Sequence, residues 1–183
     1  LSIIPAMALD DVYDPNREDT YWRRHLEGIE GFTGLIELEP KKASTYCSRA
    51  GFYMGMGQYQ RAIQDCDQAL LLPTTVLGED KLAYCYRGWA YSALDEYQRA
   101  IADFTKAIQL NPNDVSVYLM RATGYRRLGQ YQLAIEDYDQ AIQLDPEFAP
   151  AYTGRAVAYH HLGESVKQKA DEDKASSLDQ EYC

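Results

Sequence analysis

The sequence predicts an all-α solenoid of stacked antiparallel helix hairpins, and three observations predict it. Arg87, Arg121 and Arg155 lie 34 residues apart, each with a tyrosine three residues before it (Tyr84, Tyr118, Tyr152) and four after it (Tyr91, Tyr125, Tyr159). Behind the first two runs a second phrase repeats, Ala-Ile-x-Asp-Phe/Tyr then Ala-Ile-x-Leu-x-Pro, over Ala100–Pro112 and Ala134–Pro146. Glycines fall between the two halves at Gly57, Gly129 and Gly163, where one helix must end before the next begins. Self-similarity at a step of this length is the signature of a repeat architecture, in which each hairpin buries its apolar face on its neighbours.

Taken in order, residues 1–20 read as an arm, with Asp14-Pro15 marking an extended or turning stretch. Residues 21–40 hold half a repeat: Gly28 to Pro40 runs parallel to Ala100 to Pro112 but has no arginine-bearing first helix ahead of it. Its glycines Gly28, Gly31 and Gly34 lie on one face, and each costs an isolated helix about 1 kcal/mol relative to alanine. Close packing against a neighbour is expected to offset that cost. Full repeats are expected at residues 42–73, 81–112, 115–146 and 149–180. The step from Arg49 to Arg87 is 38 residues instead of 34, and the four extra residues fall in the turn-rich run Pro73 to Asp80. In the last repeat the second helix, Glu164 to Leu178, is dominated by charged and polar residues, as a capping helix with nothing stacked on it should be.

Within the repeats the most distinctive pattern is a charge ladder. Arg49, Arg87, Arg121 and Arg155 stand on first helices, and Asp65, Asp103, Asp137 and Asp171 follow sixteen residues later on second helices. An Arg–Asp ion pair is expected within each repeat or between neighbours, with the arginine stem lying on aromatic rings. The tyrosine columns are expected to be buried between paired helices, and Ala62, Ala100 and Ala134 to allow close helix approach. Cys66 occupies an aromatic column and reads as a small core hydrophobe.

These phrases together resemble the tetratricopeptide repeat, in a wording similar to that of bacterial proteins, over about residues 25 to 178. The resemblance implies a right-handed superhelix with a concave face lined by first helices. By that resemblance the peptide-binding lining is Met54, Leu82, Cys85, Trp89, Leu119, Thr123, Arg126, Val157 and His160, with Cys47, Gly51 and Ser92 beside them. Trp89 is the expected anchor, because a small residue would satisfy packing there and an accessible tryptophan is a strong contact. The carboxylate clamp of chaperone-binding relatives is absent: the corresponding positions hold Cys47, Gly51, Tyr86, Ser116 and Met120.

Bulk properties narrow the partner. The formal net charge is -10, an average field that repels a phosphate backbone and argues against nucleic acid. No apolar run approaches the roughly 20 residues of a membrane span. The four cysteines have no metal-like spacing, which favours a reducing compartment. Leu1 to Ala8 is similar to the end of a signal peptide with an A-x-A cleavage site, which favours export, so localisation is open with a lean to the cytoplasm. With no phosphate loop, nucleophile elbow or metal signature, no cofactor is expected. The expected function is a non-enzymatic adaptor that takes a peptide or helix of a partner protein in its groove. The alternative is self-association into a homo-oligomer through the N-terminal arm or the end repeats.

Overall fold

The computed structural model describes residues 20–73 and 79–181. The N-terminal arm, the signal-peptide-like run and most of the four-residue insertion therefore lie outside the described residues.

Nine helices fill the described chain. Helix α1 spans Thr20–Leu38, α2 Ala43–Gly55, α3 Tyr59–Leu71, α4 Glu79–Ala93 and α5 Tyr97–Leu110. They continue as α6 Val115–Arg127, α7 Tyr131–Leu144, α8 Ala149–His161 and α9 Ser165–Glu181. The helices start and stop where local chemistry requires it. Asp114 accepts a hydrogen bond from the Ser116 amide ahead of α6, and Pro150 stands in the first turn of α8, where its missing N–H costs nothing. Between the two helices of each hairpin, Gly57, Gly129 and Gly163 adopt φ of 69°, 73° and 75°, a left-handed conformation that a side chain resists. Asp95 takes the equivalent position with φ 61°, and its carboxylate accepts the Tyr97 hydroxyl at 2.5 Å. Aspartate tolerates this conformation better than most residues do.

Each helix packs on the next in sequence, and α2, α4, α6 and α8 also touch one another in series. Helices α3, α5, α7 and α9 make no comparable contact with each other, so the first helices lie inside the curve and the second helices outside. The alanine columns are the hinge of this packing: Ala62, Ala100 and Ala134 are each 0% exposed. Phe104 and Tyr138 are also buried, and they fill the space that Gly88 and Gly154 leave open by having no side chain. Cys66 is fully buried, as its place in the aromatic column predicts.

Two packing expectations need correction. Of the N-terminal glycines only Gly28 is tightly packed, against the Phe52 ring, while Gly31 and Gly34 face open space. In complete repeats the position of Gly31 holds the ladder aspartate, which lies under its own first helix; α1 has no such helix among the described residues. The tyrosine columns are also less buried than expected: Tyr91, Tyr118 and Tyr152 are buried, but Tyr53, Tyr59, Tyr97, Tyr125 and Tyr159 keep part of their surface in solvent. Tyr53, Tyr125 and Tyr159 lie beside a guanidinium, an arrangement in which a phenol packs its ring and keeps its polar end toward water.

The charge ladder forms inside each repeat. All four arginines bind their own aspartate through two parallel bonds, from Nε at 2.8 Å and from Nη2 at 2.7 Å. Tyrosine rings flank each guanidinium at 5.5–5.9 Å, as for Arg155 over Tyr152 and Arg121 over Tyr125. The remaining nitrogen, Nη1, reaches back to the preceding second helix, an arrangement the sequence reading missed. It donates to Thr33, Asp67, Thr105 and Asp139 in turn. Each guanidinium therefore ties together three helices, and Thr33 brings the half-repeat α1 into the same network.

Candidate functional site

The residues expected to line the groove all stand on the inner helices, but they do not form one pocket. Trp89 on α4 is 50% exposed and Leu82 42% exposed, so both are open to a partner. Met54, Cys85, Leu119, Thr123, Arg126 and Val157 are half-buried, and His160 is exposed. The Thr123 hydroxyl is committed to the Leu119 carbonyl at 2.9 Å, and His160 Nδ1 lies 3.2 Å from Gln168 Oε1. Cys47, placed beside the lining by resemblance, is instead in the core at 1% exposure, packed with Ala43, Ala69 and Ala83.

A cleft of about 580 Å³ lies at the N-terminal end of the described helices, lined by α1, α2 and α4 with Tyr59 at the start of α3. Gly51, Gly55 and Ala93 keep side-chain bulk out of it, while Phe32, Phe52, Tyr59, Tyr86 and Trp89 supply aromatic rings. Met54, Ser48 and His25 complete the wall. Sequence reasoning found Met54, Gly51 and Trp89 but missed His25, Phe32, Phe52, Tyr59 and Tyr86. Of these, His25 and Phe32 stand on α1, which has no first helix of its own among the described residues, while Phe52, Tyr59 and Tyr86 come from α2, α3 and α4.

The position of α1 is fixed by short contacts. The Tyr21 hydroxyl donates to the Gly55 carbonyl at 2.9 Å, and the His25 ring lies 4.1 Å from the Tyr21 ring. Phe52 then packs beside His25 and Phe32, each at 5.6 Å. Burial pushes the Tyr86 hydroxyl above the usual phenol range, and neighbouring thiols act in the same direction. The cleft is thus an aromatic-walled recess whose one imidazole is the side chain nearest in character to a charge.

Four family profiles match this chain. A TPR repeat matches residues 124–163, and tetratricopeptide repeats match 82–114, 104–136 and 43–80. The chain is a tetratricopeptide-repeat protein. Among solved structures this tetratricopeptide-repeat chain is similar to MamA at 24% identity, covering 96% of this chain and 97% of that one with a TM-score of 0.79. It is also similar to MamA 41-end from Desulfovibrio magneticus RS-1, at 19% identity, 87% and 89% coverage and a TM-score of 0.79. A third similar structure is YrrB, described as a TPR protein with an unusual peptide-binding site, at 18% identity, 85% and 78% coverage and a TM-score of 0.73. The tetratricopeptide-repeat fold is a protein-interaction scaffold. Among the described residues no helix is long and apolar enough to cross a membrane.

One thiol belongs to the inner face. Burial pushes Cys85 up to about 11. A folded-state value above the unfolded one means that protonated Cys85 favours the fold fully below the unfolded value and loses that contribution as pH rises toward 11. At pH 8 the thiolate fraction of folded Cys85 should be about a hundredfold below that of the unfolded chain, since two pKa units separate them. Timed alkylation with iodoacetamide, read by peptide mass spectrometry with and without urea, checks this; equal rates would contradict it.

Proposed function

We propose that this tetratricopeptide-repeat protein is a non-enzymatic adaptor that holds an apolar segment of a partner protein in the cleft at its N-terminal end. The observation that carries the reading is the aromatic recess itself, with Trp89 half-exposed at its edge. A large ring kept partly in water on a concave surface contributes little to the fold and much to a contact that covers it. The volume accommodates several aliphatic or aromatic side chains, and small concave sites lined by aromatics with few polar groups are the usual form of a binding pocket. The similarity to YrrB supports a peptide ligand as the class of partner.

Peptide-display panning on the intact protein and on Trp89→Ala tests the proposal. Wild type is expected to enrich peptides with a shared apolar motif, and Trp89→Ala to lose them by tenfold or more, since truncating such an anchor costs about 2 kcal/mol or above. Peptides enriched equally on both proteins would place the contact elsewhere on the solenoid.

A further inference from the structure

Every ladder arginine in this protein has a carboxylate, and acidic side chains outnumber basic ones by 28 to 18. Arg126 is different. It stands in the last turn of α6, on the inner face, and its Nε is buried without a hydrogen-bond partner. No other described side-chain nitrogen or oxygen is buried in that condition. Arg126 and Arg127 lie near the Tyr97 hydroxyl, which itself donates to Asp95. A buried guanidinium donor without an acceptor is unfavourable by roughly 1–3 kcal/mol, and the half-buried side chain that carries it forms no ion pair with any described carboxylate.

We propose that Arg126 is the receptor for a carboxylate on the bound peptide, an Asp or Glu side chain placed at a fixed offset from the apolar residue that occupies the Trp89 cleft. The inference rests on the groove reading above and adds the chemistry of its ligand. Thr123 is in register with Trp89 one repeat on, α4 and α6 are in contact, and Arg126 lies one turn beyond Thr123. Neighbouring helices sit about 8–10 Å apart and three residues of helix add about 4.5 Å, so the backbone positions of Trp89 and Arg126 are roughly 10 Å apart. An extended peptide covers that in about three residues. A planar guanidinium presents two parallel donors to a carboxylate, which gives the contact direction as well as charge. In the surrounding acidic field an unpaired cation on the inner face also selects against peptides that place lysine or arginine at that offset.

The test uses the Trp89-dependent peptides from the panning, each made also with its acidic residue replaced by the amide. Affinities are measured by fluorescence polarisation on wild type, Arg126→Gln and Arg127→Gln. On wild type and Arg127→Gln the amide form should bind about tenfold more weakly or worse, whereas on Arg126→Gln the two forms should bind within about twofold. The amide peptide should bind wild type and Arg126→Gln alike, which shows that the variant is folded and its cleft intact. An equal acid-to-amide loss on wild type and Arg126→Gln overturns the assignment while leaving the cleft standing. So do Trp89-dependent peptides with no acidic residue at a constant offset. A failure to recover any Trp89-dependent peptide overturns the groove reading itself, and the assignment with it.

Discussion

Replacing Arg121 with methionine should destabilise the solenoid by about 3–5 kcal/mol, the cost of leaving a buried carboxylate without its cation. Asp137 is 4% exposed and takes both of its hydrogen bonds from Arg121. Removal of the guanidinium also takes a donor from the Thr105 hydroxyl, which keeps its own bond to the Ile101 carbonyl, and strips the partner from the Tyr118 and Tyr125 rings. The double variant Arg121→Met/Asp137→Leu should recover much of the loss, because an apolar pair of similar volume removes the charge along with its partner. Urea unfolding followed by circular dichroism gives the comparison, with hydrogen exchange to locate the damage, since repeats in a solenoid need not unfold together. Equal stability of the single and double variants would show that the ladder acts through packing of the arginine stem alone. The hydrogen bonds that make the pair costly to break also hold the arginines charged: those to aspartate push Arg121 and Arg155 above the usual guanidinium range, against the opposing effect of burial. Their contribution therefore persists through neutral pH and is lost only at extreme alkalinity.

Phe104→Ala is the second large effect, at about 3–5 kcal/mol. The ring is fully buried and occupies the hollow over Gly88, where even a methyl group would meet it. Its loss opens a cavity between α4 and α5 that a glycine backbone cannot fill. Because α4 carries Trp89, the same variant should weaken capture of cleft-binding peptides more than an equally destabilising change near α9. A melting curve and a panning titration on Phe104→Ala separate the two consequences; a drop in melting temperature below about 3 °C would contradict the first.

The fold was legible because its determinants recur. A column of Arg87, Arg121 and Arg155, or of Ala62, Ala100 and Ala134, states the same packing rule several times, and a repeated rule is readable without any one instance being decisive. The bidentate Arg–Asp pairs were legible for the same reason. The third hydrogen bond of each arginine was not, because Thr33, Asp67, Thr105 and Asp139 differ in type and the insertion moves Asp67 out of step. The cleft was half legible. Trp89 and Met54 follow from the register of the inner helices, but Phe32, Phe52 and His25 acquire a role only through the way α1 lies on α2, which no period encodes. Cys47 fails in the opposite direction: its register places it toward the groove, but the close approach of Ala43, Ala69 and Ala83 seals it in.

The third hydrogen bond also alternates in kind. The seams of α1 on α2 and of α5 on α6 are bridged by a threonine hydroxyl, whereas those of α3 on α4 and of α7 on α8 are bridged by a half-exposed aspartate. Mobile ions screen the second kind and leave the first untouched. Along the axis of the described helices, joints that soften in brine thus alternate with joints indifferent to it.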